Sequence, residues 1–153
     1  MNIFKEIVDL LEKRGFEFEV IEHSPAFTSE DASKIRGSSL RMGTKAMVLK
    51  IKDKFIMAIL SAEKKISSKL LRELTNSDSL RFATPEEVEK ITYCKVGSVP
   101  PFPVLFNLDY YLDRSVIENE EIVFSAGSHV KSIKMKAKDF TKIMDKKPVE
   151  FSS

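Results

Sequence analysis

The chain has 153 residues, 42% of them hydrophobic and 31% charged, which suits one domain burying roughly 70% of its unfolded surface and excludes a disordered or fibrous chain. Its one cysteine, Cys94, cannot close an internal disulfide, which excludes a secreted disulfide scaffold. The formal charge of +2 conceals alternating blocks, −4 over residues 1–30, +8 over 31–72, −6 over 73–126 and +4 over 127–153, and so offers a polyanion such as nucleic acid a basic face.

Ile3, Ile7, Leu10 and Leu11 recur at helical spacing before Gly15, predicting an amphipathic helix over residues 2–14. Glu6, Asp9 and Glu12 lie within it, which is wrong for a secretion signal. Phe16, Phe18 and Val20 alternate with glutamates as in a half-buried strand, which His23-Ser24-Pro25 breaks. Thr28 offers a cap for a short helix ending near Arg36, followed by a Gly37–Ser39 loop. Residues 46–51 and 55–60 read as a hairpin at the centre of a sheet. Their longest apolar run, Phe55 to Leu60, is far short of the ~20 residues that span a bilayer. No membrane partner and a cytoplasmic location are therefore expected.

A helix over 67–74 and a short strand at Leu80–Phe82 follow. Thr84-Pro85-Glu86-Glu87 then starts a helix, with cap hydroxyl, proline at the first helical position and glutamate at the third. Gly97-Ser98-Val99-Pro100-Pro101-Phe102-Pro103 is too proline-rich for helix or central strand. Strands are expected over 104–112, 121–125 and 132–136, a helix over 137–144, and a tail over 146–153. The fold class is a single α+β domain spanning 1–153, its mixed sheet mostly antiparallel.

Several chemistries drop out. Two histidines and one cysteine, far apart, give no zinc spacing, and no metal or cofactor is expected. Gly37 to Lys45 misses the phosphate-loop pattern, with glycines six apart and Thr44 before the lysine. Cys94 with His23 or His129 would make a thiol hydrolase, although a lone cysteine is more often a small buried hydrophobe.

Three loop features remain. Lys45 stands where a glycine-bearing loop enters an apolar strand; the plain alternative is an exposed lysine at a strand start. The stiff Gly97–Pro101 segment leaves the amides of Ser98 and Val99 to face a ligand, or is only a rigid connection. Ala126-Gly127-Ser128-His129 allows close backbone approach, or is a simple turn.

In order along the chain, several motifs resemble those of one family. They are His23-Ser24-Pro25, Thr28-Ser29-Glu30-Asp31-Ala32, Gly43-Thr44-Lys45-Ala46-Met47-Val48-Leu49-Lys50, Ala83-Thr84-Pro85-Glu86-Glu87, the Gly97-to-Pro101 loop, Phe124-Ser125-Ala126-Gly127-Ser128 and Asp139-Phe140. The sequence looks like the YbaK family, free-standing relatives of the editing domain inserted in bacterial prolyl-tRNA synthetases. The resemblance implies a barrel-like mixed sheet flanked by helices and hydrolysis, in trans, of the ester joining a wrong small amino acid to tRNA. Candidate amino acids are Ala, Ser, Thr, Cys or 2-aminobutyrate.

By position, the resemblance makes Lys45 the essential lysine and gives Gly97, Ser98 and Val99 backbone catalytic roles. Pro100, Pro101, Gly127, Ser128, His129, His23 and Thr28 would then serve substrate binding. The partners implied are the 3′ end of aminoacyl-tRNA and an aminoacyl-tRNA synthetase. Ala46 follows the lysine where alanine-editing branches carry asparagine and cysteine-editing ones threonine. The alternative is a non-catalytic tRNA- or synthetase-binding module of the same fold.

Overall fold

Asn2 opens the first helix by accepting the Lys5 N–H on its side chain at 3.1 Å, and α1 (Ile3–Lys13) buries Ile3, Ile7 and Leu11. The computed structural model describes residues 2–36 and 39–153, so the Gly37–Ser39 loop lies partly outside the described residues. β1 (Phe18–Glu22) follows, then α2 (Ser29–Arg36), whose start is capped by the Thr28 hydroxyl accepting from the Asp31 N–H at 3.1 Å. β2 (Thr44–Ile51) and β3 (Lys54–Ser61) form the central hairpin.

Both faces of this hairpin are covered, which is why its sequence is continuously apolar instead of alternating. Val48, Met57 and Ile59 face the main core, while Leu49, Ile51, Ile56 and Leu60 face a second cluster with Leu71 and Phe151. Leu71 belongs to α3 (Ser68–Thr75). β4 (Leu80–Phe82) leads into α4 (Pro85–Thr92), where Thr84 and Glu87 close the expected capping box and Arg81 pairs with Glu87 at 2.8 Å. The second half supplies β5 (Asp109–Leu112), α5 (Arg114–Ile117), β6 (Glu121–Ser125), β7 (Lys131–Lys136) and α6 (Ala137–Met144).

The strands form two sheets, ordered β1-β7-β6 and β4-β2-β3-β5, and every pairing is antiparallel except β3 with β5. A parallel bridge between Gly43 and Val123 joins them, with the Val123 N–H donating to Met42 O at 3.0 Å. The architecture is the expected mixed, mostly antiparallel α+β domain, and the two sheets stop short of a closed barrel. Phe102, Phe124 and Phe140 stack edge-on or tilted, with ring centres 5.3–6.2 Å apart, behind the three-stranded sheet.

Two local expectations need correction, and one element was not anticipated. The strand expected over 104–112 begins only at Asp109, because Pro103–Phe106 winds into a 3₁₀ turn ended by left-handed Asn107. The four-residue α5 gives too short a pattern to be read in advance. The expected tail over 146–153 is instead docked along the sheet edge, with Phe151 fully buried and Ser153 exchanging backbone hydrogen bonds with Lys65 at 2.9 and 3.0 Å. Asp113 anchors it, accepting from the Phe151 N–H, the Ser152 hydroxyl and the Ser115 N–H at 2.7–3.0 Å.

The basic block over 31–72 is also divided by the fold. Lys50, Lys52 and Lys54 sit at the turn end of the hairpin, where Lys54 pairs with Asp109 at 3.6 Å. Lys45 and Lys65 lie at the other end, close enough to repel one another.

Candidate active site

A cavity of about 360 Å³ opens beside the N-terminal half of β2 and is lined by every residue from Gly43 to Val48. Thr28, Gly97, Val99 and Ser125 approach it from the surrounding loops and β6, and Phe82 and Ala83 from the end of β4. Lys45 is half-buried here and makes no hydrogen bond or ion pair with another described residue. Burial pushes its ammonium below the ordinary value of 10.5; Glu30 opposes that shift and Lys65 adds to it.

Gly97 also lines the cavity, in a conformation only glycine adopts cheaply. Its φ is +90°, and a Cβ there would lie 2.5 Å from the Phe27 carbonyl oxygen. Two contacts fix this closeness. The His129 Nε2–H donates to Val96 O at 2.9 Å, and the His129 ring packs on Phe27 with centres 4.5 Å apart. Gly97→Ala is therefore expected to displace the loop, costing about 1–3 kcal/mol of stability and about 10²-fold in turnover, since a 1 Å misplacement has that scale of effect. Urea unfolding and deacylation rates measured on the same preparation test both.

The expected amide donors are partly reassigned. The Ser98 N–H and hydroxyl both donate to Lys95 O, at 3.0 and 2.7 Å, so this amide is already engaged and does not face a ligand. The N–H groups of Gly97 and Val99 carry no hydrogen bond to another described residue, and both residues line the cavity. Pro100 and Pro101 are buried behind the loop as a stiff backing.

Gly127 and Ser128 do not line the cavity. Gly127 packs on α1, where an added Cβ would meet Ile3 at 2.8 Å, and its N–H donates to Ser98 O at 3.0 Å. The Ser128 hydroxyl accepts from the Val130 N–H. His23 also lies outside: both ring nitrogens are engaged at 2.8 Å, by Ser24 O and the Ser132 hydroxyl. Of the predicted site residues, Thr28, Lys45, Gly97 and Val99 reach the cavity, and Ser98, Pro100, Pro101, Gly127, Ser128, His129 and His23 do not line it.

Sequence reasoning missed Phe27 and Phe82, which are 60% and 53% exposed yet line the cavity. Each sits beside a quoted motif, and an exposed aromatic next to a motif was the available signal. The Thr44 hydroxyl is buried with no partner among the described residues. Those residues contain no group of three His, Cys, Asp or Glu side chains placed to hold a metal ion. No helix among them is long and apolar enough to cross a membrane.

Cys94 is 3% exposed, and burial raises its thiol to about 11, so it is protonated at neutral pH and outside the cavity. Cys94→Ser is expected to deacylate at the wild-type rate; inactivation would revive the thiol-hydrolase reading.

Residues 23–143 match the family model described as the aminoacyl-tRNA editing domain. The chain is 32% identical over 152 residues to the multifunctional Ser/Thr-tRNA deacylase ProXp-y of Escherichia coli (strain K12), covering 96% of this chain and 91% of that one. It is 28% identical over 121 residues to the proline–tRNA ligase of Caldicellulosiruptor bescii, covering 77% of this chain but only 21% of that enzyme. A crystal structure described as a candidate trans-editing enzyme for prolyl tRNA synthetase superposes with a TM-score of 0.84 at 24% identity, covering 100% of this chain and 98% of that one. With motifs, fold and sequence agreeing over most of its length, the chain belongs to the aminoacyl-tRNA editing domain family, of the YbaK type.

Proposed function

We propose that this chain deacylates tRNA carrying a wrong small amino acid (alanine, serine, threonine, cysteine or 2-aminobutyrate), acting in trans in the cytoplasm where tRNA is charged. The deacylase class rests on family membership. The finer reading is carried by one observation: an unpartnered, half-buried ammonium shares a cavity with two uncommitted backbone N–H groups.

The ester is already activated, so positioning and electrostatics suffice. Lys45 holds a phosphate of the terminal nucleotide or the ester itself, and the Gly97 and Val99 amides stabilise the developing oxyanion. Among the described residues the cavity lining contains no His, Asp or Glu to serve as general base. Water is therefore oriented in part by the free ribose hydroxyl of the substrate. Its oxygen bonds to the ester carbon, the bond to the ribose oxygen breaks, the ribose oxygen takes up the proton the water gives up, and amino acid and tRNA separate. Small lining residues such as Ala32, Ala46 and Ala83 set the size limit, at ~1–3 kcal/mol per methylene. An aminoacyl-tRNA synthetase is the natural upstream partner, as the source of the mischarged tRNA.

The test is a deacylation panel with purified protein and tRNAs charged with each small amino acid and several large ones. Release of small residues alone supports the proposal. Binding of tRNA without release across the panel would make the chain a non-catalytic module.

A further inference from the structure

The hydrogen-bond parity of β2 can be read from its first rung. Gly43 O accepts from the Ala62 N–H at 2.7 Å, in register with the Thr44↔Ser61 pairing. Antiparallel rungs alternate, so Lys45, Met47 and Leu49 exchange bonds with β3, while Thr44, Ala46 and Val48 turn their backbone groups the other way. Two further bonds agree. Val48 O accepts from the Ala83 N–H at 2.9 Å, on the β4 side, and Ile59, opposite Ala46, gives its carbonyl to the Asp113 N–H at 2.8 Å on the β5 side.

β4 covers β2 only from Leu49 to Ile51. Between the Gly43–Val123 bridge, where β6 touches the start of β2, and Val48, that edge has no paired strand, and the Ala46 N–H and C=O have no partner among the described residues. The cavity occupies the missing strand's place. Side chains alternate along a strand, so a hollow touching six consecutive residues, Gly43 to Val48, runs along the edge and not over one face. Natural edges of this kind are usually blunted or covered. The unpartnered Thr44 hydroxyl lies in the same stretch.

We propose that this edge docks the amino acid of the substrate as if it were one residue of an added strand. Ala46 C=O accepts from the substrate's α-ammonium, and the Ala46 N–H donates to the ester carbonyl, alongside the amides of the Gly97 loop. An α-aminoacyl ester carries its nitrogen and carbonyl on one carbon, as a strand residue does, so both bonds can form at once. The side chain is then held at a fixed angle into the cavity, and Lys45 is left for the nucleotide end. The inference rests on the deacylase reading and names the part of the substrate that the edge recognises.

A matched pair of substrates tests it on the wild-type protein. One is tRNA esterified with an amino acid that the panel shows to be released; the other carries the α-hydroxy acid with the same side chain. The hydroxy ester is expected to lose at least about tenfold in kcat/KM, the scale of a charge-assisted hydrogen bond. Ala46→Pro removes the N–H without breaking a rung and is tolerated at an edge. It is expected to keep the wild-type circular dichroism and to lose turnover on the amino ester. Equal rates on the two esters overturn the proposal, as does a folded Ala46→Pro protein with wild-type turnover. If that variant does not fold, the ester pair still decides. A wild-type protein that releases nothing across the panel brings down the deacylase reading as well, and is distinguished by failing before the pair is compared.

Discussion

Lys45→Ala is expected to lower kcat/KM for deacylation by about 10²–10³-fold, the scale seen when one preorganised electrostatic contact to a reacting group is removed. The Lys45 ammonium feels Glu30 at a distance but makes no hydrogen bond or ion pair with another described residue, so the loss cannot be traced to a broken structural ion pair. Lys45→Met makes the same point with an opposite effect on stability. Burial holds the lysine's folded-state pKa below 10.5, so between those two values the unfolded chain binds more protons and stability rises with pH. Below that window the buried ammonium opposes folding in full, so replacing it with an apolar side chain raises the melting temperature at neutral pH while activity is lost. The pH profile gives a third reading. After subtraction of uncatalysed ester hydrolysis, kcat/KM falls on an alkaline limb centred below 10.5, as the ammonium loses its proton. A variant retaining wild-type turnover at pH 7 would remove Lys45 from the mechanism.

Asp113→Ala carries the largest expected effect on stability. Its carboxylate is 1% exposed and accepts three hydrogen bonds, two from the C-terminal segment and one that caps α5. Removing it leaves the Phe151 and Ser115 N–H groups unsatisfied inside the protein. With charged acceptors contributing about 1.5–3 kcal/mol per bond, a loss of 3 kcal/mol or more is expected. Urea unfolding should show a lower midpoint at an unchanged slope. Phe151→Ala should cost about 3–5 kcal/mol through the lost burial and the cavity left behind. The double variant should cost less than the sum, because both changes release the same segment. Full additivity would mean that Asp113 and Phe151 act independently.

Local signals were legible where the chain satisfies itself. The Thr28 cap, the Thr84–Glu87 capping box and the helical spacing of Ile3, Ile7 and Leu11 all involve partners a few residues apart. The parallel pairing of β5 with β3 was not legible, since its partners are separated by two α-helices, a strand and a 3₁₀ turn. The C-terminal segment reads as polar except for Val149 and Phe151, and its docking depends on Asp113, about 40 residues away. The site was divided in the same way. Lys45 and Gly97 could be named from motifs, but engagement of the Ser98 amide by Lys95 is a property of the folded loop. The open edge of β2 leaves no mark on composition, because backbone groups are the same at every position.

The bridge between Gly43 and Val123 has a consequence for changes in chain length. It pins the start of β2 to the second sheet, while the far end of that strand turns freely into β3 through Lys52 and Asp53. Insertions or deletions around residues 52 and 53 should be accommodated by the turn. One residue gained or lost between Gly43 and Val48 would instead rotate the rest of the strand by half a turn, exchanging the two buried faces and presenting the wrong amides to the hollow.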